Sequence, residues 1–272
     1  MVERMRFALL NSGLGLLATA SELHRLRPEA DLVLAMDPDG MPWGPRTPQD
    51  IAARSLAIAR AAASYDPDVI VMACNTGSVH ALDVLRAEFE PDIPIVGTVP
   101  AIKPAVAAAR SVAIWATVAT TASDYQRRLI AEFGVGAEVT PVACPGLASA
   151  IDAGDESAMT VAIADAANRT PQECGAVVLG CTEYELAADR IGAAMPGAML
   201  FGTAEAVAAQ TLRRAALAGR DVSTDPDAEP GKLTVLLSCR TGTMPLAALQ
   251  YRQGRELAQL AASPEQASDL AV

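Results

Sequence analysis

One pattern occurs twice in this chain and constrains its fold more than any other feature. An apolar run ends in a cysteine that is followed by a hydroxyl or amide residue, once in residues 69–76 (VIVMACNT) and once in residues 176–182 (AVVLGCT). The two cysteines, Cys74 and Cys181, are 107 positions apart. A strand that ends in a thiol and turns into a helix places the thiol beside the free backbone N–H groups of the helix start, where a thiolate is favoured.

Two further pairs of residues repeat at almost the same spacing. Asn11 and Thr117 each end an apolar run and are 106 positions apart, and the Gly-Thr pair at 97–98 recurs 105 positions later at 202–203. Since the three pairs keep the same order, we interpret them as an internal duplication in which each half has the size of a domain. The alternative is that strand-loop-helix units resemble one another in any α/β protein. A duplication predicts two facing domains that each bring one cysteine to a shared cleft.

Apolar runs alternate with amphipathic stretches nearly throughout, which is typical of βαβ units. Strands are predicted at 5–11, 31–36, 68–73, 94–98, 111–116, 138–143, 175–180, 198–202 and 233–238. Helices are predicted at 14–26, 48–64, 77–88, 101–109, 122–133, 157–168, 183–192 and 204–217, with a surface linker at 221–231 and a helix or frayed tail at 263–272. The predicted class is α/β, with two pseudo-symmetric domains of mainly parallel sheets flanked by helices and the active site in the interdomain cleft. We assign residues 1–98 plus 207–272 to the first domain and 99–206 to the second.

Charge and apolar content exclude several classes of partner. The formal net charge of −11 argues against nucleic acids and acidic membranes, which attract basic proteins. No apolar stretch reaches the ~20 residues that span a bilayer. We therefore expect a small-molecule ligand, and neither a nucleic acid nor a membrane as partner.

The cysteines and the N-terminus bear on the compartment. The five cysteines form no CxxC pair and no zinc-ligand spacing, so we expect free thiols and no metal site. Residues 1–20 have some features of a signal peptide, but the polar residues 11–13 interrupt the apolar run, and the segment fits the first predicted strand. We expect a cytoplasmic protein.

The residues that follow the predicted strands are the candidates for ligand binding, because open α/β sheets bind ligands at the carboxyl ends of their strands. They comprise Asn11, Ser12, Gly13, Pro42, Trp43, Gly44, Cys74, Asn75, Thr76, Thr117, Thr120, Thr121, Cys181, Thr182, Glu183 and Tyr184. The set is rich in uncharged hydrogen-bond donors and contains no Lys, Arg or His. It would suit a small carboxylate that is held by amides and hydroxyls.

Two thiols on opposite faces of an α-carbon can invert its configuration, because one removes the α-proton while the other delivers a proton. Each general acid or base step of this kind contributes roughly 10²–10⁴-fold. Pyridoxal phosphate chemistry would need a lysine, and Lys103 and Lys232, the only lysines, lie in no site-like context. The two histidines, His24 and His80, are predicted on helix surfaces. The residues therefore favour a mechanism without a cofactor.

Five motifs resemble the aspartate/glutamate racemase superfamily, and glutamate racemases most closely. They are residues 73–76 (ACNT), 179–182 (LGCT), 11–15 (NSGLG), 42–44 (PWG) and 97–105 (GTVPAIKPA), with Ala116, Thr117, Thr120 and Tyr125 similar to the entry loop of the second domain. The resemblance covers residues 5–217. It implies cofactor-independent interconversion of L- and D-glutamate by two thiol bases, supply of D-glutamate for peptidoglycan, and a homodimer.

The same resemblance implies roles for individual residues. Cys74 and Cys181 would be the two bases, and Asn11, Glu183 and Asp152 would assist them. Substrate binding would fall to Ser12, Pro42, Trp43, Gly44, Asn75, Thr76, Thr117, Thr120 and Thr182. Glutamate racemases typically have an acid where Asn11 stands and a histidine where Glu183 stands, whereas Glu183 resembles aspartate-racemase branches. Asp152 would replace a glutamate of the family.

These departures leave two alternatives open. The first is a racemase or isomerase of aspartate or of another small carboxylic acid in the same superfamily. The second is a homologue that binds such a ligand without turning it over. A panel of substrates separates the first alternative from a glutamate racemase, and ligand-induced stabilisation without α-proton exchange identifies the second.

Overall fold

A computed structural model describes residues 4–220, 222 and 229–261 of the chain. Its strands are β1 Arg6–Asn11, β2 Asp31–Met36, β3 Val69–Met72, β4 Ile95–Gly97, β5 Ser111–Ala116, β6 Glu138–Ala143, β7 Ala176–Leu179, β8 Met199–Phe201, β9 Leu233–Leu237 and β10 Arg240–Gly242. Its α-helices are α1 Leu16–Leu26, α2 Pro48–Ala63, α3 Asn75–Phe89, α4 Ile102–Ala108, α5 Val118–Thr121, α6 Asp124–Phe133, α7 Leu147–Ala153, α8 Glu156–Arg169, α9 Ala188–Ala194, α10 Ala204–Leu217 and α11 Arg252–Ala261. Two 3₁₀ helices cover Thr182–Ala187 and Leu246–Gln250.

The strands form two sheets with a shared internal order. The first sheet has the order β10-β9-β2-β1-β3-β4 and the second has the order β6-β5-β7-β8. The order β2-β1-β3-β4 is thus repeated as β6-β5-β7-β8, and all of these neighbours are parallel. The topology confirms the α/β class and agrees with the duplication inferred from the spacing. Strands β9 and β10 extend the first sheet beyond the duplicated unit, and among the strand pairs of the described residues only β9–β10 is antiparallel.

Burial explains why the central strands consist of continuous apolar runs. Parallel strands that are covered by helices on both faces need apolar residues at every position. All four residues of β3 and of β7 are buried, and Trp115 of β5 is fully buried with its indole Nε1 donating to Thr170 Oγ1 at 2.8 Å. Strand β6 is more exposed and contains Pro141, which fits its position at the edge of the second sheet.

The predicted strands all occur, with ends that differ by at most one residue, but several other elements were missed. Helix α7 is short and lies between two glycines with left-handed backbone, Gly146 and Gly154, so its seven residues show little periodicity. Helix α11 was also missed, as were β10 and the 3₁₀ helix before α11. The predicted helix at 183–192 begins as a 3₁₀ helix and becomes α-helical at residue 188. Most of the predicted linker at 221–231 and the whole tail at 263–272 lie outside the described residues.

Helix α10 returns the chain from the second sheet to the first. It packs against α1 and against β4 and β3, so the lobe built on the first sheet includes a helix that follows the second sheet in sequence. The division of the chain at residues 98/99 and 206/207 stays a prediction. Among the described residues, the helices are too short or too polar to cross a bilayer.

The start of α2 offers a local test of helix capping. The Thr47 hydroxyl accepts a hydrogen bond from the Asp50 amide at 3.2 Å, and Pro48 occupies the first helical position, as the sequence indicates. Thr47→Ala should lower the free energy of unfolding by about 1 kcal/mol. Urea denaturation measures the change, and Thr160→Ala on the exposed face of α8 is the matched control, with an expected change within about 0.5 kcal/mol. Equal losses in the two variants would contradict the capping role.

Candidate active site

A cavity of about 380 Å³ lies between the two lobes, where the carboxyl ends of β1, β3, β5 and β7 approach one another. It fits the predicted position of the site in the interdomain cleft. Residues of both lobes line it, and the predicted site residues among them are Ser12, Pro42, Trp43, Gly44, Cys74, Asn75, Thr76, Thr117, Thr120, Asp152, Cys181 and Glu183. Asn11 and Thr182 are buried just behind this wall and do not line the cavity.

Cys74 caps the start of α3 at the end of the β3 segment. Its Sγ accepts the Gly77 amide at 3.4 Å. The backbone N–H groups of Ser12, Thr76 and Gly77 favour the thiolate, but burial and the nearby Glu183 carboxylate outweigh them and raise the pKa of Cys74 to about 12. The helix-start argument therefore identified the N–H groups correctly, whereas the resting state of this residue is the thiol.

Cys181 has a carboxylate as its hydrogen-bond partner. Its Sγ donates to Glu183 Oε2 at 2.8 Å. Burial raises the pKa of Cys181 well above the ordinary value, and the charge and hydrogen bond of Glu183 act in the same direction. A 3₁₀ helix follows Cys181 where an α-helix follows Cys74, so the two thiols have different surroundings despite the duplicated topology.

Asp152 brings a second carboxyl group to the same wall. It lies on α7, and its Oδ1 accepts the Leu14 amide of the other lobe at 2.8 Å. Burial, followed by repulsion from Glu183, raises the pKa of Asp152 to about 8, which the hydrogen bond from Leu14 opposes. Asp152 therefore holds a proton near neutral pH.

Two asparagine side chains cross from the first lobe to the second. Asn11 Nδ2 donates to Thr182 Oγ1 at 3.1 Å, and Asn75 Nδ2 donates to the Gly180 carbonyl at 2.8 Å. The Oδ1 atom of Asn75 is buried and has no hydrogen-bond partner among the described residues. Because buried polar atoms are normally paired, this oxygen is available to accept a hydrogen bond from a ligand in the cavity.

The remaining predicted side chains form the polar rim and the cover. The Thr117 hydroxyl caps α5 by accepting the Thr120 amide at 3.2 Å and donates to the Thr120 hydroxyl at 3.0 Å. Trp43 is buried, and its Nε1 donates to Asp37 Oδ2 at 3.0 Å, with Arg54 paired to the same carboxylate at 3.2 Å. Trp43 thus anchors its loop and also forms part of the cavity wall.

Sequence reasoning missed several residues of the cavity wall, and most of them follow β6. The lining residues not predicted as site residues are Pro45, Val118, Ala119, Cys144, Pro145, Gly146, Ala148, Ser149 and Gly180. Cys144 is buried and also lines the cavity. The rule that strand ends face the site, when applied to the predicted strand at 138–143, would have found it.

The acidic residues of the cavity wall are Asp152 and Glu183, with no Lys, Arg or His among the lining residues that the structure describes. An anionic ligand would therefore be held by hydroxyl and amide groups, and an ammonium group by the carboxyl groups. Within residues 4–220, 222 and 229–261, no three His, Cys, Asp or Glu side chains are grouped as a metal site requires. The five cysteines are free thiols.

The family, the curated relatives and the solved structure that this chain resembles are all racemases. The family described as Asp/Glu/Hydantoin racemase matches residues 11–211. A glutamate racemase of Herpetosiphon aurantiacus is 38% identical over 239 residues, which cover 85% of this chain and 91% of the relative. One of Pseudomonas entomophila is 33% identical over 222 residues, covering 80% and 83%. The crystal structure of Escherichia coli glutamate racemase in complex with L-glutamate and the activator UDP-MurNAc-Ala superposes with a TM-score of 0.76, at 28% identity and with 91% and 92% coverage.

Proposed function

Because the chain belongs to the Asp/Glu/Hydantoin racemase family, we propose that it is an isomerase that interconverts L- and D-glutamate without a cofactor. The observation that carries this proposal is the position of two thiols, Cys74 and Cys181, on opposite lobes of one cavity. Two curated relatives that are named glutamate racemase match most of the chain, which supports glutamate as the substrate.

The proposed reaction is one proton transfer on each face of the α-carbon. The thiolate on one face removes the α-proton and becomes a thiol, while the thiol on the other face protonates the carbanion and becomes a thiolate. The opposite enantiomer is formed, and the net charge of the site is unchanged. Since both thiols are protonated at rest, one must first lose a proton, and Glu183 at 2.8 Å from Cys181 Sγ is placed to accept it.

Substrate groups are assigned by charge. The hydroxyls of Ser12, Thr117 and Thr120 and the backbone amides of Asn75 and Thr76 would bind the carboxylates, because the described lining residues include no cation. Carboxyl oxygens of Asp152, which holds a proton near neutral pH, and of Glu183 would accept hydrogen bonds from the ammonium group. Pro42, Trp43 and Gly44 would close the cavity over the ligand. Thr182, which was predicted to bind substrate, would instead support Glu183 from behind.

Three further features belong to the proposal. D-glutamate would supply peptidoglycan synthesis, and the protein would be a homodimer, as the family resemblance implies. A cytoplasmic location is supported by the five free thiols, which fit a reducing compartment.

One observation favours a second candidate substrate. The side chain of Asn11 is fully buried, and both ends of its amide are used in internal hydrogen bonds, so it offers nothing to a substrate ammonium group. Aspartate or another small carboxylic acid stays the alternative substrate, and the missing contact favours an acid that carries no ammonium group. A homologue that binds such an acid without turnover is the other alternative.

The test is α-proton exchange in D₂O. Purified protein is incubated separately with L-glutamate, D-glutamate and L-aspartate, and loss of the α-proton signal is followed by NMR alongside the circular dichroism of the amino acid. We expect exchange and loss of optical activity with both glutamate enantiomers. A higher kcat/KM with aspartate would establish the alternative substrate, and ligand-induced stabilisation without any exchange would establish the non-catalytic homologue.

A further inference from the structure

We propose that Asn11 and Glu183 are a matched pair, joined through the Thr182 hydroxyl, in which Asn11 is a positioning residue that directs Glu183 toward Cys181. The inference deepens the proposed function, because it concerns the same site and explains why an amide rather than an acid stands at position 11. Its stability test does not depend on that function.

The orientation of the Asn11 amide is fixed by groups that can play only one hydrogen-bonding role. Its Oδ1 accepts from the backbone N–H of Gly13 at 3.2 Å, and a backbone N–H can only donate. Its Nδ2 donates to the carbonyl of Ala73 at 2.5 Å, and a carbonyl can only accept. The amide therefore cannot be flipped, and its second N–H points to Thr182 Oγ1 at 3.1 Å.

This orientation sets the direction of the Thr182 hydroxyl. Because Thr182 Oγ1 accepts from Asn11, the hydroxyl proton of Thr182 is free to donate. The acceptor is Glu183 Oε2, which lies 3.4 Å from Thr182 Oγ1. The same carboxylate oxygen accepts the thiol proton of Cys181 at 2.8 Å. A directed chain thus runs from the Asn11 amide through a hydroxyl to the carboxylate that faces the thiol.

The side chains of Asn11, Thr182 and Glu183 meet above Gly15. A β-carbon added there would lie 2.3 Å from Thr182 Oγ1, 2.6 Å from Asn11 Nδ2 and 2.8 Å from Glu183 Cδ. The three side chains therefore occupy a single tight space. If the side chain at position 11 changes from a hydrogen-bond donor to an acceptor, the side chain at position 183 must change as well to keep the hydrogen bonds with Thr182.

An aspartate at position 11 would break this arrangement. An ionised carboxylate only accepts hydrogen bonds, so the oxygen that replaces Nδ2 would face the Ala73 carbonyl without a proton between them. It would also draw the Thr182 proton away from Glu183, and it would add a buried negative charge beside Glu183 and Asp152. Reinstating the acid that resembles the family pattern should therefore damage this site.

The first test is a double-mutant comparison of thermal stability at pH 8. We expect Asn11→Asp to lower Tm by about 5–10 °C. Adding Glu183→Gln to Asn11→Asp should restore about half of that loss. An amide at position 183 can donate to the Thr182 oxygen, so that the Thr182 hydroxyl can donate its proton to the carboxylate at position 11. Asn75→Asp is the matched control. Asn75 Nδ2 also donates to a carbonyl across the lobes, so the change adds a similar charge to the same cleft outside the Thr182 chain.

The control separates the hydroxyl chain from simple repulsion. Glu183→Gln should relieve Asn75→Asp less than it relieves Asn11→Asp. Equal relief in the two pairs, or additive Tm shifts for Asn11→Asp and Glu183→Gln, would overturn the proposal. An Asn11→Asp variant as stable as the unsubstituted protein would overturn it as well.

The second test measures proton removal by Cys181, the thiol that donates to Glu183. Primary deuterium isotope effects on kcat/KM are measured separately for α-deuterated L- and D-glutamate. Asn11→Asp should raise the isotope effect for one enantiomer only, the one whose proton Cys181 removes, because only that thiol contacts Glu183. Unchanged isotope effects for both enantiomers would overturn the positioning role. If Asn11→Asp does not fold, Thr182→Val interrupts the chain in its place and should give the same one-sided change.

The two proposals fail in different ways. A wild-type protein that exchanges no α-proton with any amino acid tested contradicts the racemase function. The Tm comparison still decides whether Asn11 and Glu183 are a matched pair.

Discussion

Cys181→Ala is expected to lower the rate of racemisation by about 10³-fold, and Cys74→Ala is expected to do the same. Each substitution removes the group that takes or gives the proton on one face of the α-carbon. Racemisation is followed by circular dichroism, starting from each glutamate enantiomer. Since inversion needs both faces, loss of either thiol stops racemisation in both directions.

Two other cysteines provide controls for this prediction. Cys174 is buried in the second lobe, where its thiol donates to the Ala176 carbonyl at 3.1 Å, and it does not line the cavity. Cys144 does line the cavity, so Cys144→Ala tests whether any thiol in the wall would serve. Both variants should racemise glutamate at rates close to that of the unsubstituted protein. A loss with Cys144→Ala as large as with Cys181→Ala would contradict the assignment of the two bases.

The sequence was sufficient to predict β1 to β9, because buried parallel strands such as β3 and β7 are continuous apolar runs. The nearly equal spacings of Asn11 with Thr117 and of Cys74 with Cys181 also predicted an internal duplication, and the two sheets share one strand order. Placement of the two cysteines at the cavity followed from the general position of sites in open sheets. These inferences rest on periodicity and strand ends, which a sequence displays directly.

Other features depend on three-dimensional surroundings that no local pattern encodes. The direction of the thiol pKa shifts is set by burial and by Glu183, which outweigh the helix-start N–H groups beside Cys74. The orientation of the Asn11 amide depends on the Ala73 carbonyl, and it directs the Thr182 hydroxyl; both residues are distant from Asn11 in sequence. Helix α7 was missed because it is short and bounded by glycines, yet it carries Asp152 into the site. The site could therefore be located from the sequence, while its protonation and hydrogen-bond directions could not.

The stability of the protein is expected to fall as the pH rises from about 5 to 8, and Asp152 should account for much of the fall. Its pKa is about 8 in the folded protein, against the ordinary value of 3.8 in the unfolded chain. Between these values the folded state binds a proton that the unfolded state has lost. The free energy of unfolding then decreases with pH by up to about 1.4 kcal/mol per unit, and the decrease ends above pH 8.

Asp152→Asn isolates this contribution, because an asparagine at that position keeps a carbonyl oxygen for the Leu14 amide but does not titrate. Other groups, such as the buried Glu185, whose pKa burial also raises, affect both proteins alike. Urea denaturation at pH 5, 6, 7 and 8 should therefore show a free-energy difference between the two proteins that grows in favour of Asp152→Asn by up to about 4 kcal/mol. Parallel curves for the two proteins would mean that Asp152 is already ionised at pH 5 and holds no proton to contribute to the site.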